Sequence, residues 1–220
     1  MNDLPRREQN RIAKQKRILE AALQVFSNYG YHGASMDAVA KNAGLTKPTI
    51  YQYFSNKAEL FATMMQSRRD DMLVAFDTPD ASRMVAQLHE FAWKYTDTVM
   101  HPNFLSLARL IIGEAQRFPE IGKSYQASGP DRVLDGMMSF LIAQRAFENL
   151  QFEDPELAAQ DLWGLLLSAP RTRALYQPDA LPTKQELNRY VYNGLRVFLR
   201  AYSTNLADDV QSLHALENAR

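Results

Sequence analysis

Apolar residues recur every three or four positions along most of the chain, and Gly and Pro fall in the gaps between the recurring blocks. That period marks amphipathic helices; few segments show the period-two alternation of a half-buried strand. Ile18, Ala22, Val25, Phe26 and Tyr29 share a face and predict a first helix over 14–29, stopped by Gly30. Two short helices are predicted next, one with Met36, Val39 and Ala40 turned inward and one with Ile50 and Phe54 turned inward. A long helix follows over 57–76, then helices over 82–100, 103–117, 130–149 and 183–202. Another opens at Asp154-Pro155 and ends before Ala169-Pro170. Residues 119–129 read as an irregular connector, 170–182 as a Pro-containing loop and 205–220 as a weakly amphipathic tail. The predicted fold class is all-α.

The residues between the two short helices sharpen the picture. Ser35 is placed to cap the first by accepting backbone N–H bonds. Gly44 follows it where the chain must reverse through a left-handed conformation, which glycine adopts without steric cost. Thr46 is a second N-cap candidate, and Pro48 falls in a first helical turn, where its missing N–H costs little. Asn56 with Glu59, and Thr183 with Glu186, have capping-box spacing. Two helices around a tight turn present the second to a DNA major groove. With Ile50 and Phe54 inward, Lys47, Thr49, Gln52 and Tyr53 are left outward and Tyr51 lies at the edge. The DNA-contacting set is then Ser35, Thr46, Lys47, Pro48, Thr49, Tyr51, Gln52, Tyr53 and Lys57. Thr46, Tyr51, Tyr53 and Lys57 suit phosphates, Lys47, Thr49 and Gln52 suit base edges, and Pro48 suits a thymine methyl. The same turn geometry also occurs inside helical proteins that never touch DNA.

Charge distribution bears on that choice. The 220 residues carry no net charge, yet residues 1–69 hold eleven Lys and Arg against five Asp and Glu, a balance of +6. The remainder holds fourteen against twenty, a balance of −6. A basic head on an acidic body favours DNA at one end. Arg6, Arg7 and Arg11 lie in a polar stretch, 1–13, that reads either as a basic arm for phosphates or as a solvated tail.

The run GLTKPTIYQYFSNKAELF resembles the recognition helix of the TetR/AcrR family of bacterial transcriptional regulators. Tyr51, Tyr53, Phe54, Lys57 and Leu60 fit its pattern, as do Tyr29-Gly30, Tyr31 and Ser35 upstream, so the likeness covers about 12–61. Gln52 departs from it, since many relatives carry His there, which leaves the target sequence open. Residues 104–166 also resemble AefR-like C-terminal domains, through Leu107, Glu114, Arg117-Phe118-Pro119, Gly129-Pro130 and the run 154–159. The implied layout is a basic arm (1–13), a helix-turn-helix domain (14–56), a helical ligand-binding and dimerisation domain (57–204) and a tail (205–220).

The body carries two further expectations. Ala159, Leu162, Trp163, Leu166, Val191, Leu195, Phe198 and Tyr202 form apolar stripes on two helices and read as a homodimer interface or as intramolecular core. Met64, Met65, Met72, Phe76, Trp93, Met100, Phe104, Leu107, Ile111, Phe118, Met137 and Phe140 supply adaptable apolar surface, with Glu114 as a polar group among them. They read as a pocket for a small apolar effector or as plain core. The family resemblance implies a repressor that binds palindromic operator DNA as a dimer and lets go when that effector binds. A constitutive DNA-binding dimer is the alternative.

An enzyme is the remote reading. His32, His89, His101 and His214 are dispersed without metal-ligand spacing, and no Gly-rich phosphate loop occurs. No cofactor, metal or catalytic residue is expected. Cysteine is absent and no apolar run approaches the roughly 20 residues of a membrane span, so a cytoplasmic protein is expected.

Overall fold

A computed structural model describes residues 5–219. Those residues form eleven α-helices: α1 (Arg6–Gly33), α2 (Met36–Asn42), α3 (Lys47–Tyr51), α4 (Lys57–Leu73), α5 (Met84–Val99), α6 (Pro102–Ala115), α7 (Pro119–Ser128), α8 (Pro130–Ala146), α9 (Pro155–Tyr176), α10 (Lys184–Tyr202) and α11 (Leu206–Asn218). Short 3-10 turns at Val74–Phe76 and Ala81–Arg83 flank the entry to α5. An isolated antiparallel bridge joins Leu150 to Ser203. The all-α expectation therefore holds.

By contact the chain divides into two units, Met1–Arg68 with Pro102–Ser128, and Arg69–His101 with Gly129–Arg220. In the first, α1 packs on α2 and on α6, so part of the segment assigned from sequence to the body belongs with the N-terminal helices. Ile18, Ala22, Val25 and Phe26 are buried as their spacing predicts, while Tyr29 is 61% exposed. The Ser27 hydroxyl donates to the Asn103 carbonyl at 2.7 Å and that of Ser106 to the Ser27 carbonyl at 2.9 Å, stapling α1 to α6.

In the second unit, Phe76 stacks on Phe91 and Phe140 with ring centroids 4.6 and 4.0 Å apart. Buried Gln87 donates to the carbonyls of Ala75 and Thr78 and accepts from the Asp80 amide, closing the turn ahead of α5. α9 and α10 cross so closely that a Cβ at Gly194 would lie 2.5 Å from the Leu165 carbonyl oxygen. Thr183 and Glu186 form the full capping box at the start of α10.

Four sequence expectations are corrected. Residues 1–4 of the arm lie outside the described residues, and from Arg6 the rest is helical, because Arg, Gln, Glu and Lys are good helix formers after a starting proline. Residues 119–128 form α7 rather than a connector: Pro119 opens it, Glu120 favours its first turn and Ile121 is buried. α9 runs through Pro170 to Tyr176 with a kink at Leu167 (φ −143°, ψ 15°). Pro170 cannot donate to the Leu166 carbonyl and its ring crowds that group, so the helix bends there and resumes. The tail forms α11, held by buried Leu213, by an Arg196–Glu217 ion pair at 2.8 Å and by the Tyr192 hydroxyl on the Leu216 carbonyl.

Candidate nucleic-acid interface

The chain enters the site through two glycines. Gly30 interrupts α1 at φ 68° and ψ 176°, a region only glycine occupies comfortably. The chain then turns so that Ser35 caps α2, accepting from the Ala38 amide at 3.1 Å. α2 ends at Gly44, whose φ is 62°; the Leu45 amide closes back on the Ala40 carbonyl at 2.9 Å. The Arg17 guanidinium donates to the Gly44 carbonyl at 3.3 Å, fixing the turn against α1. Ile50 and Phe54 are buried as predicted, which leaves the opposite side of α3 open. At five residues α3 is about 7.5 Å long, short enough to lie across a groove about 12 Å wide.

Several polar groups of this surface have local partners. Thr46 does not cap α3; its hydroxyl lies 2.8 Å from that of Thr49. Lys47 donates to Asp37 at 2.9 Å, and that bond holds its ammonium above the ordinary lysine range. Asn56 accepts from the Glu59 amide as a capping box requires, but the Glu59 carboxylate returns to the amide and hydroxyl of Ser55, one residue early. Those bonds keep the Glu59 carboxyl below its usual range. Pro48, Tyr51 and Gln52 are exposed, and Thr49 and Tyr53 are half-buried.

Lys57 differs from the rest. Its half-buried ammonium donates to the carbonyls of Tyr31 at 2.7 Å, Ala34 at 3.1 Å and His32 at 3.3 Å. It also lies 4.7 Å from the Tyr31 ring centroid. Three donors meet three acceptors, so Lys57 ties the start of α4 to the turn after Gly30 and has no donor left for a phosphate. Burial pulls its pKa below the usual lysine value, with the charge of Glu114 acting the other way. A Cβ on Gly30 would come within 2.7 Å of a Glu114 carboxylate oxygen, so Glu114 sits in this junction.

Sequence reasoning missed Arg17 and Asp37, whose partners lie far along the chain. It also missed a cleft of about 550 Å³ in which Arg7, Arg11 and Lys14 face Gln52 and Tyr53. The signal for it was the spacing of 7, 11 and 14, legible only if the first helix extends upstream.

The residues expected to line an effector pocket are divided between the units. Met64, Met65, Phe104, Leu107 and Ile111 are buried in the first, and Met72, Phe76, Trp93, Met100, Met137 and Phe140 in the second. Phe118 packs on His32 at 3.9 Å between ring centroids. Of the expected interface set, Ala159, Leu162, Leu166, Val191, Leu195 and Phe198 are buried within this one chain. Trp163 donates through Nε1 to the Tyr95 hydroxyl, and Tyr202 to Asp161. Trp163 and Tyr202 are half-buried, and Leu157 (57%) and Val197 (36%) are exposed on the same two helices.

Among the described residues no group of three or more His, Cys, Asp or Glu is placed to hold a metal ion. None of their helices is long and apolar enough to cross a membrane.

Residues 18–64 match the profile of bacterial regulatory proteins of the TetR family, and residues 86–204 that of the C-terminal domain of AefR-like transcriptional repressors. The chain is 29% identical to a TetR-family transcriptional regulator from Mesorhizobium loti MAFF303099, with a TM-score of 0.68 over 88% of this chain and 98% of that one. It is 30% identical to the flavonoid-responsive regulator FrrA, with a TM-score of 0.62 over 87% of this chain and 98% of that one. The transcriptional activator FasR of Mycolicibacterium smegmatis is 41% identical over 70 residues, which is 30% of this chain and 32% of FasR. Matches to such curated relatives span between about a quarter and a half of their length.

Proposed function

The chain belongs to the TetR family of bacterial transcriptional regulators, and from that premise we propose that it is a ligand-responsive repressor acting as a homodimer. Each α2–α3 unit enters a major groove of a palindromic operator. Tyr51, Tyr53, Thr46 and Ser35 face phosphates, and Thr49, Gln52 and Lys47 face base edges, with Pro48 against a thymine methyl. Lys57 acts from behind, by holding the turn that aims α3. The carrying observation is the burial of Ile50 and Phe54, which turns the remaining side of α3 outward beneath a basic head. Two copies meet through the exposed faces of α9 and α10. Effector binding in the C-terminal region lowers DNA affinity, and DNA lowers effector affinity by the same factor. α4, continuous from Lys57 to Leu73, is the covalent path between the two. The name of FasR supports a second reading, in which the same DNA contact activates transcription.

Fluorescence anisotropy on duplexes carrying candidate palindromes tests the proposal. Binding should fall steeply with salt, and Thr49→Ala should change which sequences are preferred. Salt-insensitive binding, or uniform weakening by Thr49→Ala, would overturn the assigned roles.

A further inference from the structure

The face of α1 that carries Ile18, Ala22 and Val25 into the core changes character upstream. At helical spacing the positions that continue that face are Lys14, Arg11 and Arg7. From Arg6 to Lys14 every residue is exposed except half-buried Glu8, so this stretch of helix buries no apolar side chain. Like charges three and four residues apart repel along a helix and weaken it. No packing of these residues offsets that cost.

The three cations line a cleft together with Gln52 and Tyr53, the residues by which the chain leaves α3. The cleft lies wholly within the unit that holds α1 to α3. Glu8 also borders it and reaches Arg11 at 3.5 Å, an exposed pair of little worth. Arg7 and Lys14 have no ion pair among the described residues. Arg17, nearly one turn below Lys14, donates to the Gly44 carbonyl and so ties this helix to the turn ahead of α3. The cations are therefore presented on a rigid rod beside α3, with no flexible arm to be ordered on binding. Arg7 to Lys14 spans about 10.5 Å of helix axis, a length over which one DNA strand carries about three phosphates.

We propose that this cleft holds the phosphodiester backbone of the DNA strand that passes the exit of α3, with Arg7, Arg11 and Lys14 on its phosphates. The inference rests on the DNA-binding reading and adds to it a clamp that reads no base. It sets affinity and salt dependence, whereas Thr49 sets sequence preference.

The test uses the full chain and the palindromic duplex that it binds most tightly. Arg7→Gln, Arg11→Gln and Lys14→Gln combined should weaken binding at least tenfold at low salt. The slope of log affinity against log salt should fall by about 2–3 for each copy bound, with sequence preference unchanged. Glu8→Gln, which removes the carboxylate from the cleft, should tighten binding. Neutral methylphosphonate linkages are then placed one at a time along the half-site. Two or three of them should weaken the parent protein and have no effect on the triple variant. If the triple variant keeps the parent's affinity and slope, or shifts sequence preference instead, the proposal is wrong while DNA binding stands. If no linkage loses its effect in the variant, the proposal is equally wrong. If the parent protein binds no palindromic duplex, the DNA-binding reading fails and the proposal with it.

Discussion

Lys57 and Arg171 are both cations held half out of water, yet they are housed in opposite ways. Around Lys57 the chain supplies three carbonyls and a tyrosine face, one for each demand of an ammonium. Around Arg171 it supplies an aromatic wall and no acceptor for Nε. The first arrangement is complete, so its worth lies in the fold. The second leaves a donor unmet, so it adds less to the fold. Burial alone does not say how much a charge contributes to the fold; the census of its partners does.

The contrast breaks most visibly at Gly30. Gly30→Ala adds a Cβ that collides with Glu114 in a backbone region closed to alanine, and disturbs the turn that offers its carbonyls to Lys57. Urea unfolding should register a loss of about 3 kcal/mol. Next comes a matched pair. Lys57→Met orphans three carbonyls and should cost about 2 kcal/mol, whereas Arg171→Met should change stability by no more than about 0.5 kcal/mol. Equal losses would erase the distinction. On duplex DNA, Lys57→Met should weaken binding without altering its salt slope, since no phosphate contact is lost; a slope lower by about one would restore Lys57 to the phosphate-binding set.

The smallest effect sharpens the account of α9 ahead of its kink. The hydroxyl of Tyr202 donates to Asp161, which pushes the tyrosine pKa up to about 12. The folded value exceeds the ordinary 10.0, so this contribution is whole below pH 10 and fades as pH climbs toward 12. Asp161→Asn should bring one tyrosine back toward 10 in a spectrophotometric titration. An unchanged titration curve would remove that clamp.

Local chemistry was legible in the sequence. Ser35, Gly44, Ile50, Phe54 and the Thr183–Glu186 box behave as their neighbours require, because a cap or a turn is decided within four residues. Long-range pairings were not. Nothing near Lys57 in the chain announces carbonyls some 25 residues earlier, and nothing near Lys47 announces Asp37. Pro170 misled because a proline ends a helix in most settings, yet a buried Ala174 and good helix formers let α9 resume. Six residues of the stripes on α9 and α10 are buried within the chain while Trp163 and Tyr202 are only half-buried, and periodicity does not say whether the cover is the same chain or a second copy.

Gly194 finally sets a limit on how α9 can move. Where its Cα meets the Leu165 carbonyl, the two backbones are in contact, and sliding one along the other would drive main chain into main chain. The front half of α9 is thus welded to α10 and must travel with it as one rod. Amide protons at this contact should therefore exchange only when the whole unit unfolds.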